Sequence, residues 1–148
     1  MLVPTKILVP TDFSEYSDKA LNQAFDIAQR YKAKVYVLHV VHEKMSHSMK
    51  EYGLTAELIE GMDWKMVSGA RMKVQKEIDK FPQTKELEVF NEVVLGNPSE
   101  EILKAQSEKG IDLIVIASLG RTGIAKYLIG SVARNVLKGA KCPVLLTK

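Results

Sequence analysis

The chain has 148 residues, about the length of one ordinary domain, and its 46% hydrophobic and 26% charged residues exclude a disordered polypeptide. Its 21 Lys and Arg stand against 18 Asp and Glu, a net charge of +3 dispersed without a basic stripe among aromatics, so nucleic-acid binding is not expected. No apolar run is long enough for a bilayer, no secretory leader is evident and the single cysteine, Cys142, can form no intrachain disulfide, which points to the cytoplasm and away from membranes.

In chain order, KILVP (6–10) is a short apolar run that stops at Pro10-Thr11-Asp12, the mark of a strand entering a turn. Ala20, Leu21, Ala24, Phe25, Ile27, Ala28 and Tyr31 then recur at helical spacing. KVYVLHVV (34–41), with four valines, is a continuous β-rich run that predicts a strand buried on both faces, followed by a polar stretch from 42 to 53. Leu58, Ile59, Met62, Met66, Ala70, Val74, Ile78 and Phe81 carry a second helical stripe, ended by Pro82, with Trp64 expected at a packing or interface position. Residues 87–95 predict a third strand closed by Gly96, and Asn97-Pro98-Ser99-Glu100 has the cap, first-turn proline and acidic third residue of a helix running to about Gly110. A fourth strand at 111–117, a loop, a short helix at 131–139 and a fifth strand at 143–147 complete the pattern. Strands alternating with helices imply βαβ units: one α/β domain spanning 1–148, an open, mostly parallel sheet of five strands with helices on both faces.

Ligands of such sheets collect beyond the carboxyl ends of the strands, where strand order reverses. Pro10-Thr11-Asp12, His39-Val40 and Ala117-Ser118-Leu119-Gly120 all stand at strand ends, and they share one crevice if strands one and four are neighbours. Gly130-Ser131 opens the last short helix, whose unpaired amides and positive dipole end suit an anion, with Arg121, Thr122 and Lys126 close in sequence. Neither the GxxxxGK[ST] nor the GxGxxG pattern is present, so neither of those nucleotide folds is supported. Asp12 reads either as a ligand of a phosphate-bound magnesium ion or as a helix cap completed by Glu15, and Ser131 as a cap at the anion site. His39 reads as a crevice histidine, while His42, Glu43 and His47 have no regular spacing and define no metal site. Neither a Ser-His-Asp arrangement nor a carboxylate pair can be read from the chain, so it is not expected to be an efficient enzyme.

The segment ASLGRTGIAKYLIGSVARNVLKGAKCPVLL (117–146) resembles the G-x2-G-x9-G-[ST] signature of the universal stress protein family, and KILVPTDFSEYSDKALNQAFDIAQRYKAKVYVLHVV (6–41) resembles that family's opening. The resemblance implies a flavodoxin-like or Rossmann-like sheet, a stress-response or regulatory role, and an adenine nucleotide, ATP or else ADP or AMP, with magnesium. It places Pro10, Thr11 and Asp12 beside the adenosine and Val40 against the base. Ala117, Ser118, Leu119, Gly120, Arg121, Thr122 and Gly123 would hold ribose and phosphates, with Gly130, Ser131 and Val132 offering backbone amides to the phosphates. It further implies a homodimer through the fifth strand, between Pro143 and Thr147. Ala117 stands where the motif has its first glycine, a change that is harmless at negative φ, and Leu119 stands where many relatives carry histidine. A nucleotide-independent interaction module and a weak ATPase remain the alternatives.

Overall fold

A computed structural model describes residues 2–42, 51–120 and 129–148. β1 (Lys6–Pro10) is the middle strand because Ile7, Leu8 and Val9 have no exposed surface, which requires cover on both faces of the sheet. β2 (Lys34–His42) and β3 (Val89–Gly96) lie to one side of it, β4 (Leu113–Ala117) and β5 (Val144–Thr147) to the other. All pairings are parallel and the order is β3-β2-β1-β4-β5, with Ile7 paired to Val35 on one flank and to Leu113 on the other. Strand order therefore reverses between β1 and β4, the neighbours that a shared crevice requires.

Helices cover both faces. On one, α1 (Glu15–Tyr31) buries Ala20, Leu21, Ala24, Phe25 and Ala28 against Ile7, Val9, Val35 and Val37, while α2 (Ala56–Asp79) adds Val74 and Ile78. On the other, α3 (Pro98–Lys109) and α4 (Ser131–Gly139) bury Ile102, Ala105, Ala133 and Val136 against Leu8, Leu38, Ile114 and Ile116. Asn97 caps α3 as expected, accepting from the Glu100 amide, and Gly110 ends it in the left-handed conformation. Among the described residues, no helix is long and apolar enough to cross a membrane.

The element boundaries differ from the sequence reading in physically explicable places. The amide of Ile111 bonds to Gln106 O and so closes α3, which delays β4 to Leu113. A short 3-10 turn (Pro82–Glu86) consumes the chain after α2, and Leu87 N donates to Thr84 O, so β3 begins at Val89. Trp64 is not packed; it is 71% exposed on α2.

Candidate nucleotide site at the carboxyl edge of the sheet

The turn after β1 is built from short polar side chains that bond to nearby backbone. Thr11 N still follows the sheet, donating to Leu38 O at 2.9 Å. Thr11 Oγ1 accepts from Phe13 N at 3.1 Å and lies 3.1 Å from Ser17 Oγ, and both hydroxyl residues are buried. Asp12 Oδ1 accepts from Ser14 N at 3.0 Å, an Asx turn, whereas the α1 cap is Ser14, whose hydroxyl accepts from Ser17 N. The capping-box reading of Asp12 with Glu15 is thus corrected: the carboxylate sits two residues ahead of the cap, in the turn that faces the crevice. Phe13 has φ +66°, a left-handed conformation unusual for a bulky residue.

The turn after β4 is held at Ser118 through both its amide and its carbonyl. Ser118 N donates to Thr147 O at 2.8 Å, extending the β4–β5 ladder, and Ser118 O accepts from Gly130 N at 2.7 Å, which brings the start of α4 against the turn. A Cβ on Gly130 would stand 3.3 Å from Ser118 O, and one on Gly120 would stand 2.9 Å from Asp12 Oδ2. Neither glycine has positive φ, so at both places glycine is used for close approach and not for an unusual backbone. Ala117 also has no positive φ, so its extra methyl meets no backbone strain. Gly130, not Ser131, is the cap of α4; it supplies no side-chain bond, and Ser131 is the first helical residue. The serine therefore stands in the first turn, whose amides have no intrahelical partner.

These turns enclose a cavity of about 420 Å³ at the switch point. Pro10, Thr11, Asp12 and Val40 border it from one side, residues 117–120 and 130–132 from the other. Arg121, Thr122, Gly123 and Lys126, together with Glu43 and His47, lie outside the described residues. The lining is asymmetric. Leu38, Val40, Ile102 and Ile116 form an apolar wall, and Asp12, Ser118, Ser131 and the α4 N-terminus form a polar one. Sequence reasoning missed Ser17, Leu38, His42, Pro98, Ile102, Ile116 and Ala133 as lining residues. Leu38 and Ile116 were within reach of strand alternation, but Pro98 and Ile102 enter only because β3-β2-β1 places α3 over the crevice.

Behind the site, Asp18 of α1 stands beside Glu77 of α2. Burial, reinforced by the Glu77 carboxylate, pushes Asp18 up to about 6. Burial also works to raise Glu77, but hydrogen bonds from Lys80, whose Nζ lies 2.7 Å away, and from Asp18 outweigh it and hold that group below its ordinary value.

Comparison with known proteins agrees with this architecture. The family model "Universal stress protein family" matches residues 4–148. Universal stress protein MJ0531 of Methanocaldococcus jannaschii is 34% identical over 97% of this chain and 81% of its own length. The solved structure of MJ0577 from the same organism superimposes with a TM-score of 0.84 at 31% identity, covering 99% of this chain and 97% of that one. A universal stress protein from Archaeoglobus fulgidus in complex with dAMP shares the fold, with a TM-score of 0.59, 24% identity and coverage of 99% and 100%. The parallel five-stranded sheet, its switch-point cavity and a family match over nearly the whole length lead to one assignment: the chain belongs to the universal stress protein family.

Proposed function

We propose that this protein binds an adenine nucleotide, ATP with magnesium in the first instance, and acts as a nucleotide-responsive regulatory dimer in stress physiology. The observation that carries the reading is the cavity's division into an apolar wall and a polar end at which α4 presents its first amides, clamped in place by the Gly130–Ser118 bond. A purine fits the first environment and phosphates the second. The volume of about 420 Å³ falls in the usual range for small-molecule sites. A relative of this fold in complex with dAMP supports the choice of ligand class. Asp12, on the polar wall, supplies a carboxylate suited to a phosphate-bound magnesium ion.

The reading is one of binding more than turnover, with slow hydrolysis at most. Asp12 and His39 border the cavity, but a nucleophile activated by a base is not part of the proposal. β5 lies at one edge of the sheet with Leu145 37% exposed, and a second copy pairing there would satisfy its open backbone groups. Mass spectrometry of undialysed protein, paired with thermal melting in added ATP, tests the ligand. A co-purifying adenine nucleotide or a concentration-dependent rise in Tm is expected. Absence of both would favour a nucleotide-independent interaction module, and rapid ADP release would favour an ATPase.

A further inference from the structure

One cavity residue outside the inferred ligand set is tied into the turn that aims Asp12. His39 Nδ1 lies 2.8 Å from Thr11 O. A carbonyl oxygen only accepts, so Nδ1 is the ring nitrogen that carries the hydrogen. The imidazole also contacts the Phe13 ring, with centroids 4.4 Å apart and a tilt of 39°, and Lys73 of α2 places its ammonium 4.6 Å from the centroid of that phenyl ring. Phe13, with its left-handed backbone, thus has both an imidazole from β2 and a cation from α2 against its ring.

Every polar group of Thr11 is engaged: its amide by Leu38 O, its hydroxyl by Phe13 N and Ser17, its carbonyl by His39. Asp12 follows directly, and the missing Cβ of Gly120 is what lets its Oδ2 approach the turn after β4. Loss of the imidazole removes the partner of Thr11 O and one of the contacts on Phe13 together. Each residue flanking Asp12 thereby loses one of its restraints, while Ile7, Leu8 and Val9 of the adjacent strand keep their burial.

We propose that His39 is a positioning residue for the nucleotide: its Nδ1–H bond to Thr11 O and its tilted ring contact with Phe13 hold the turn from Pro10 to Phe13 in the shape that receives ligand. This role rests on the adenine-nucleotide reading of the cavity. It acts through the turn, and the hydrogen bond is its main element.

The experiment titrates ATP with magnesium into the full chain and its His39→Leu, His39→Gln and His39→Asn variants by calorimetry, with melting curves and circular dichroism as checks on folding. The Asn amide nitrogen takes the place of Nδ1 and can still donate to Thr11 O, whereas Gln carries its amide where Nε2 was and Leu carries none. The Leu and Gln variants should bind ATP roughly three- to tenfold more weakly, the fold-change expected from one hydrogen bond. The Asn variant should stay within about twofold of the parent, the rescue that a hydrogen-bond role demands. Equal affinity in all four proteins, or equal losses in the Asn and Leu variants, would overturn the proposal. A wild-type chain that binds no adenine nucleotide would defeat the reading of the cavity itself, so the two failures are separable. Imidazole ¹⁵N spectra of the wild-type chain, which need no variant to fold, should show the His39 proton on Nδ1 and its resonance moved by ATP; a proton on Nε2 alone would overturn the proposal.

Discussion

Gly130 N donates to Ser118 O at 2.7 Å, so the cap of α4 is bonded directly to the turn that leaves β4. That contact fixes where the helix amides point, and glycine suits it because a Cβ at this position would stand 3.3 Å from the same oxygen, tighter than most such contacts. The two halves of the polar wall are set against each other by one bond.

Gly130→Val should therefore lower affinity for ATP at least about tenfold, or about 1.4 kcal/mol, by forcing the turn and the helix apart. The core packing of Ala133 and Val136 lies further along α4 and should hold the fold. Calorimetry with circular dichroism checks both halves of the expectation. Normal ATP binding by the variant would move the site elsewhere.

Ala117→Gly should leave ATP affinity within about threefold of the parent or tighten it slightly, a change under about 0.7 kcal/mol. Ala117 has no positive φ, so restoring the motif's glycine relieves no backbone strain and removes only a methyl group that packs against the core on the α1 side of the sheet. A large gain in affinity would show that this methyl obstructs the ligand.

Asp18→Asn should raise Tm at pH 7.5 and lose most of that gain at pH 4. Asp18 has a folded value of about 6 against an ordinary value of 3.8, so the native chain takes up this proton more readily than the unfolded one. Between about pH 4 and 6 its contribution makes stability fall as pH rises, and above that window the ionised carboxylate beside Glu77 is a standing cost that Asn lacks. Melting curves across pH 4–8 check the sign. A stabilisation independent of pH would contradict it.

Leu145→Asp should yield a monomer if β5 is the self-association edge, because the substitution puts a charge on an exposed apolar position of an edge strand. Light scattering at micromolar concentration should show a dimer for the parent and a monomer for the variant. A monomeric parent would remove β5 as the contact.

Much of the architecture was legible because period and burial coincide. Val35, Val37 and Leu38 read as a strand buried on both faces and are so, and Ala20, Leu21, Ala24 and Phe25 read as one stripe and are buried as one. The cavity lining was legible at or near the ends of strands, as at Thr11, Val40 and Ala117. It was not legible where competing local bonds decide. Asp12 and Ser14 are both good caps, and only the geometry of the turn gives the cap to Ser14. Gly130 and Ser131 compete in the same way, and close approach to Ser118 selects glycine. Ile102 and Pro98 reach the cavity through strand order, which no local pattern encodes.

The central claim is that the switch-point cavity holds an adenine nucleotide, and calorimetric titration of the nucleotide-free chain with ATP and magnesium tests it most directly. Saturable binding at one nucleotide per chain, weakened at least about tenfold in Gly130→Val, is the predicted result. No saturable heat with ATP, ADP or AMP, together with an unchanged Tm, would contradict it.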